Sequence, residues 1–450
     1  MNNINLIKNN ISGKNISVLG SGISGQGAAN LAHYLGANVL LSDKKSVKNL
    51  TLISDKIKIE SPHTENCLNA DLVIISPGID PNTSEIVKDI IRKKIPIVSE
   101  IEFGSWSTKN PIIAITGSNG KSTVVKLVNS IFNKKYSNVM LGGNIGVSFC
   151  MNIYIELKNN LKTLHILEIS SFQLQNIYDF KPDLSCILNI TRDHIERHIT
   201  FENYCQDKLK IVKNTDKNSH IVYNQDDYIL DNIFIKNKAA VPFSIKHNTP
   251  NIKIKCNKIY CSKTNKQILN QENTNLIGLH NLSNIVAAIQ ISKIYRIENK
   301  IIKKVIEGFK PLEHRMEVLD INSNIVFIND SKGTNLVSTL AAIQSIKNDT
   351  LLILGGYSDD KISKDSLDEI SDKKNIYKVV CYGEIGKTIS KHFENSKYEK
   401  EFSDAVSFAI KFAIPNSTLL LSPGFKSFDQ FSNFEDRGKM FKNIIFKHFA

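Results

Sequence analysis

Cysteine is scarce in this chain, long apolar runs are missing, and the positive charge is not gathered into patches; each shortage removes a class of protein. The seven cysteines, at 67, 150, 186, 205, 256, 261 and 381, are odd in number and far apart. They do not make a disulfide framework, and a reducing compartment suits them. Cys256 and Cys261 form a C-x4-C with no second Cys or His pair at ligand spacing, so they read as strand or turn residues and not as zinc ligands. No segment approaches the ~18 uncharged apolar residues of a membrane span. The stretch MNNINLIKNNISGKNISVLG has no apolar h-region, so the expected protein is cytoplasmic, neither exported nor bound to a membrane. Lys+Arg number 57 against Asp+Glu 44, a formal charge of +13, which would suit polyanions. The excess is Lys scattered among Asn and Ile, with little Arg clustering or aromatic interleaving, so no nucleic-acid partner is expected.

What is present is enough apolar residue for buried cores, at 41% of 450 residues, and room for about three domains. A unit of strand, glycine turn and helix recurs. The first is NISVLGSGISGQGAANLAHYLGANVLLSDKK, where Gly20-x-Gly22-x-x-Gly25 follows an apolar strand and Asp43 stands about 20 residues on. A linker-like FGSWSTKNP precedes the second, AITGSNGKST, whose helix carries Val124, Leu127, Val128 and Ile131 on one face. The third follows KPLEHRMEV, with apolar strands in NIVFINDSKGTN, TLLILGGYSD, YKVVCYGE and STLLLSPGF. The expectation is an α/β protein of three domains, 1–108, 109–312 and 313–450, each a mostly parallel sheet with flanking helices. The first and last read as Rossmann-like and the central one as a P-loop ATPase. The Asn/Lys-rich piece 246–275 reads as a surface hairpin or an insertion in the middle domain.

Several motifs carry chemistry. In Gly117-Ser118-Asn119-Gly120-Lys121-Ser122-Thr123 the loop N–H groups and the helix start converge on an anion, Lys121 reaches outer phosphates and Ser122 can bind Mg²⁺. The loop is compact, because Ile115 stands where the common G-x-x-x-x-G-K-[ST] pattern has its first glycine. The Gly20 loop alone would suggest a dinucleotide-dependent oxidoreductase, but a redox enzyme has no need of the second phosphate loop, and any diphosphate suits a helix N-terminus. Glu168 interrupts the apolar strand HILEISSFQL, and a buried carboxylate there calls for a cation. NITRDHIERH crowds Asp193, His194, Glu196 and His198 into one turn, with His194 the leading ligand of a Mg²⁺ site. Asn281 and Asn284 share a face of the helix in GLHNLSNIVAA; Arg315 in LEHRMEV offers a planar fork to phosphate. Asp330, Lys332 and Thr334 lie just past a strand end, where open α/β sheets bind ligands. Phe428, Phe431 and Phe434 read as core.

Taken in order, TGSNGKST, LEISSFQL, NITRDHIERH, GLHNLSNIVAA, LEHRME, NDSKGTN and SPGFKSFDQF resemble the Mur ligases over essentially the whole chain, most closely the glutamate-adding members. The resemblance implies ATP-driven amide ligation: the alanyl carboxylate of UDP-N-acetylmuramoyl-L-alanine is phosphorylated and the amine of D-glutamate displaces phosphate. It implies ATP and two Mg²⁺ ions as cofactors, a monomer, and domain closure around the acyl phosphate. Residue by residue, it assigns Lys121 and Ser122 to the ATP phosphates and first Mg²⁺, Glu168 to that ion, and His194 to the second. Lys208 matches the family lysine that is carbamylated by CO₂ into a metal ligand. Asn281, Arg315 and Asp330 match ATP-contacting positions, and Ser21, Gly22, Asp43, Gly78 and Asn144 match those for the UDP-sugar. Lys332, Thr334, Ser427 and Phe434 match the surroundings of D-glutamate and the acyl phosphate.

Three departures stand out. Asp359 occupies the position of a lysine that pairs with a glutamate carboxylate, so Lys361 or Lys426 must take that task. Lys426 is itself a departure, in PGFKSF where small residues are commoner. Arg192 precedes Asp193 where an acid or proline is commoner. The short phosphate loop is shared with folylpolyglutamate synthetases, which leaves another amino-acid or folate ligase as the alternative.

Overall fold

Runs of aliphatic and β-branched residues become strands, and glycine turns pass them on to helices. The computed structural model describes residues 2–45, 50–358 and 362–449. The chain forms two compact units: Met1–Lys255 with Ile259–Ile268 and Asn284–Ile306, and Cys256–Lys258 with Leu269–Ser283 and Glu307–Ala450.

The first unit holds two large sheets. One is built from β1 (Asn15–Leu19), β2 (Asn38–Ser42), β3 (Lys58–Glu60), β4 (Leu72–Ile75) and β5 (Ile97–Ser99), ordered β3-β2-β1-β4-β5. The other comprises β6 (Ile112–Thr116), β7 (Val139–Gly143), β8 (Leu164–Glu168), β9 (Leu184–Ile187), β10 (His220–Asn224) and β11 (Ala240–Phe243), ordered β11-β10-β9-β6-β8-β7. All their pairings are parallel. Every residue of β6 and β8 is buried, as expected where helices cover both faces. The two sheets share one core: Ile101 and Phe103, in the helix Glu100–Ser105, join Phe149, Cys150 and Ile153 of the helix Phe149–Lys158.

A small sheet of β12 (Ile252–Lys255), β13 (Lys258–Cys261) and β14 (Gln267–Asn270) occupies the 246–275 region. Cys256 and Asn257 turn between its first two strands at φ 46 and 60.

The sheet of the second unit contains β15 (Glu317–Val318), β16 (Val326–Asn329), β17 (Thr350–Gly355), β18 (Ile376–Tyr382), β19 (Ser396–Glu399) and β20 (Thr418–Gly424), ordered β15-β16-β20-β17-β18-β19. Only the short β15 pairs antiparallel. Apolar clusters lie on both its faces, one around Phe327, Phe402 and Phe441, the other around Leu340, Leu354 and Leu420. In each large sheet the candidate residues stand just past strand ends beside a reversal of strand order, the usual ligand crevice of such sheets.

Candidate active site

The loop after β1 shapes the first site. Gly22 ends the turn and starts the helix Ile23–Tyr34 without a side-chain cap, leaving its first N–H groups for a ligand. A Cβ on Gly25 would overlap the Gly20 carbonyl, so glycine is what lets this helix approach the loop. Asp43, at the end of β2, accepts from the Ser21 N–H and hydroxyl, each at 2.6 Å. Burial pushes its carboxyl up, but these hydrogen bonds and one from the Lys45 N–H outweigh it and hold the pKa below the ordinary value. Ser21, Gly22, Asp43 and Gly78 line one cavity of about 1510 Å³. Asn144 is not among the residues lining that cavity; its amide donates to Glu168 Oε1 at 2.9 Å.

The phosphate loop between β6 and the helix Lys121–Phe132 is braced from the end of β9. Ser118 N–H donates to Asn189 O at 3.0 Å and Asn119 N–H to Asn189 Oδ1 at 2.8 Å, while Ser118 Oγ donates to Thr191 O at 2.9 Å. The helix starts on Gly120 at φ 85, again without a side-chain cap. A Cβ there would overlap Asn284 Oδ1. This backbone cradle fits nucleotide phosphate. Lys121 Nζ rests on the carbonyls of Gly117 and Ser118, at 2.6 and 2.9 Å.

Lys208, on the helix Phe201–Leu209, is buried and donates to that same Gly117 carbonyl at 2.9 Å. Burial first and the Lys121 charge second drive its pKa far below the usual lysine range, against the pull of Asp193 and Glu168. Burial thus favours the neutral amine at this position. Glu168, at the end of β8, is buried nearby.

The histidine cluster splits. His194 sits at φ 54, its side chain 38% exposed, 3.7 Å from Asp193 Oδ2 and 3.6 Å from Glu196 Oε1. His198 is buried and committed to structure, with Asp207 Oδ2 at 2.9 Å and Ser171 Oγ at 3.0 Å. Arg192 is exposed. Among the described residues no group of three or more His, Cys, Asp or Glu converges on a metal position. A sparse donor set suits Mg²⁺, which keeps water and phosphate oxygens and takes one or two protein carboxylates.

In the second unit, Asp330 follows β16 and accepts from Ser422 Oγ at 2.8 Å and the Met316 N–H at 3.2 Å. Burial raises its pKa to about 7 against those bonds and the charges of Arg315 and Arg437. His314 and Met316, on either side of Arg315, hold positive φ of 63 and 46. Lys332 Nζ lies 3.7 Å from the centre of the Phe434 ring. Thr334 precedes Asn335, the N-cap of the helix Leu336–Gln344, and Ser427 is buried after β20. Asn281 lies at the start of the helix Leu279–Ile294 and donates to Ile277 O at 2.9 Å. Asp359 and Lys361 lie outside the described residues. Lys426 pairs through its backbone with Tyr357. Phe428, expected in the core, is 63% exposed, because it stands in the turn before the helix Phe434–Phe449.

Sequence reasoning missed Arg437. It is fully buried and donates to Ser331 Oγ and O, the Tyr382 hydroxyl, Phe425 O and Lys426 O. One guanidinium thus ties the loops after β16 and β20 to the end of β18. The only signal was an arginine beside Gly438 in an otherwise amphipathic helix.

Residues 115–292 match the family model of the Mur ligase middle domain. A "UDP-N-acetylmuramoylalanine--D-glutamate ligase" from Christiangramia forsetii is 37% identical, covering 96% of this chain and 99% of that protein. One of the same name from Thermoanaerobacter pseudethanolicus is 35% identical over 97% and 98%. Among solved structures, a MurF ligase from Thermotoga maritima in complex with ADP superposes with a TM-score of 0.61 at 14% identity, covering 98% of this chain and 96% of that one.

Proposed function

The chain belongs to the Mur ligases, and we propose that it uses ATP to join D-glutamate to UDP-N-acetylmuramoyl-L-alanine through an acyl phosphate. One observation carries the reading: the first unit holds two glycine cradles, each at an uncapped helix N-terminus, after β1 and after β6. A dinucleotide oxidoreductase needs one of them; a ligase that couples a nucleotide sugar to ATP needs both. The full-length relatives that carry the D-glutamate ligase name support the choice of amino acid.

In this reading Ser21, Gly22, Asp43 and Gly78 bind the UDP-sugar diphosphate and nucleoside. The loop Gly117–Thr123 holds the ATP phosphates, and Asn281, Arg315 and Asp330 the rest of ATP. A carboxylate is a poor acyl donor, so it attacks the γ-phosphorus and ADP leaves. Lys121 offsets the negative charge that gathers as two anions meet. The neutral amine of D-glutamate then adds to the acyl carbon, loses its proton, and phosphate departs. Thr334, Ser427 and Phe434 shape the amino-acid pocket, Lys332 supplies charge beside it, and Lys361 or Lys426 meets a glutamate carboxylate. Ser122, Glu168 and His194 would hold Mg²⁺, which when bound neutralises phosphate oxygens. Burial and the Lys121 charge favour the neutral form of Lys208, the form that adds to CO₂, and its carbamate would join the same ligand set. We read the protein as a cytoplasmic monomer with functional domains 1–108, 109–312 and 313–450.

The test is ADP release with UDP-N-acetylmuramoyl-L-alanine and Mg²⁺, comparing D-glutamate, L-glutamate, an amino-acid panel and a folate acceptor. Strong selectivity for D-glutamate is expected. Preference for another acceptor would keep the chemistry and change the substrate, and no ADP release with any acceptor would refute the ligase. Lys208→Ala should lose most activity and regain part of it with formate; unchanged activity would remove the carbamate.

A further inference from the structure

A proton relay ends at the wall of the nucleotide cavity. Ser42, at the end of β2, is buried, with its Oγ 2.9 Å from Glu60 Oε1 and 2.8 Å from His63 Nδ1. Glu60 also accepts from the Thr64 N–H and hydroxyl, the Asn66 amide and the Cys67 thiol. Burial pushes its carboxyl up, yet these donors bring its pKa down to about 2, so it is ionised and has no proton to give. A serine hydroxyl has a single proton. Glu60 takes it, the Ser42 oxygen turns a lone pair to the imidazole, and Nδ1 must carry the ring hydrogen. Burial also lowers the His63 pKa against the pull of Asp43 and Glu60, which favours the neutral ring. Its Nε2 is then left with a lone pair. His63 lines the cavity, and the bond to Ser42 is the only one its ring makes among the described residues.

We infer that His63 Nε2 is a fixed acceptor for the ring N–H of a uracil base, and that the Glu60–Ser42–His63 chain selects uridine over cytidine nucleotides. Uracil offers N3–H as a donor. Cytosine offers a lone pair at the same position, which would face the Nε2 lone pair, so the relay converts an ionised glutamate into base discrimination. A site whose polar group is left unpaired by the wrong ligand rejects it far more strongly than one that merely loses apolar contact. The inference rests on the reading of this cavity as the UDP-sugar site.

The experiment is calorimetric titration of the full chain with UDP, CDP and 3-methyl-UDP. The wild type should bind UDP at least about tenfold more tightly than either analogue. His63→Ala should bring the three within about threefold of one another, and His63→Gln, whose amide oxygen can accept, should keep part of the preference. Circular dichroism of both variants shows whether they fold. Equal affinities in the wild type, or an unchanged UDP-to-CDP ratio in folded His63→Ala, would overturn the inference and leave the cavity as a nucleotide site. No binding of any of the three to the wild type would overturn the cavity reading, and the inference with it.

Discussion

Ile199 is a β-branched residue at φ 72 and ψ −47, 67% exposed, closing the short helix Ile195–His198. That backbone region costs a non-glycine residue about 1–3 kcal/mol, and exposure leaves little packing to offset it. Glycine would relieve the strain but adds about 0.5–1 kcal/mol of unfolded-chain entropy. Ile199→Gly should therefore stabilise by about 1 kcal/mol, read as a higher urea midpoint; a lower midpoint would mean the side chain packs better than its exposure implies. Glu100 is strained electrostatically instead. It is fully buried, one oxygen accepts from the Cys150 N–H at 2.6 Å and the other has no partner, and burial lifts its pKa to about 7 against those bonds. The native state thus binds this proton more tightly than the unfolded chain. Stability from this group is greatest below the ordinary carboxylate range, falls as pH rises towards about 7, and is level above it. Glu100→Gln keeps the acceptor and removes the titration. It should gain on the wild type as pH rises from 5 to 8, by up to about 3 kcal/mol, measured by denaturation at each pH; a constant difference would disprove the buried acid.

At the scale of elements, buried side chains decide how helices and loops are joined. Glu102, on the helix Glu100–Ser105, is buried and accepts from the N–H groups of Tyr178, Asp179 and Phe180, each at 2.9 Å, and from the Trp106 indole at 2.8 Å. Two carboxylate oxygens satisfy four donors, three of them in the turn that leads into β9. Glu102→Gln would aim an NH₂ at two of those donors. The expected loss is about 2–4 kcal/mol, and hydrogen exchange should locate it in residues 178–180; an even loss across the unit would show that the carboxylate does not hold this turn. The strands and helices themselves were legible. The apolar run before AITGSNGKST is β6, and the helix after it spans Lys121–Phe132 with Val124, Leu127, Val128 and Ile131 all buried. Glu102 was not legible, because a glutamate just before a polar linker looks like any solvated charge until the turn it caps is brought beside it.

At the scale of the whole chain, two compact units with separate cores should unfold separately. Calorimetry should show two transitions, with UDP at 100 Kd raising one of them, the one that contains Gly20 and Asp43, by about 2.7 kcal/mol. A single transition, or equal shifts in both, would contradict this. The sequence by itself determined the α/β class, the strand-to-helix order, both glycine loops and, through ordered motifs along its length, the family; these depend on periodicity, backbone freedom and local hydrogen bonding, all set by neighbours in the chain. The tertiary structure decided which of the marked residues meet. It put His198 in the core with Asp207 while His194 stays partly exposed, set Asn144 against Glu168, and buried Lys208 beside Lys121 so that its pKa falls far below the usual lysine range. It also recruited Arg437 and His63, neither of which any motif marks. Burial and through-space charge depend on residues far apart in the chain, as with Arg437 and Ser331, 106 positions apart, and no local pattern encodes them.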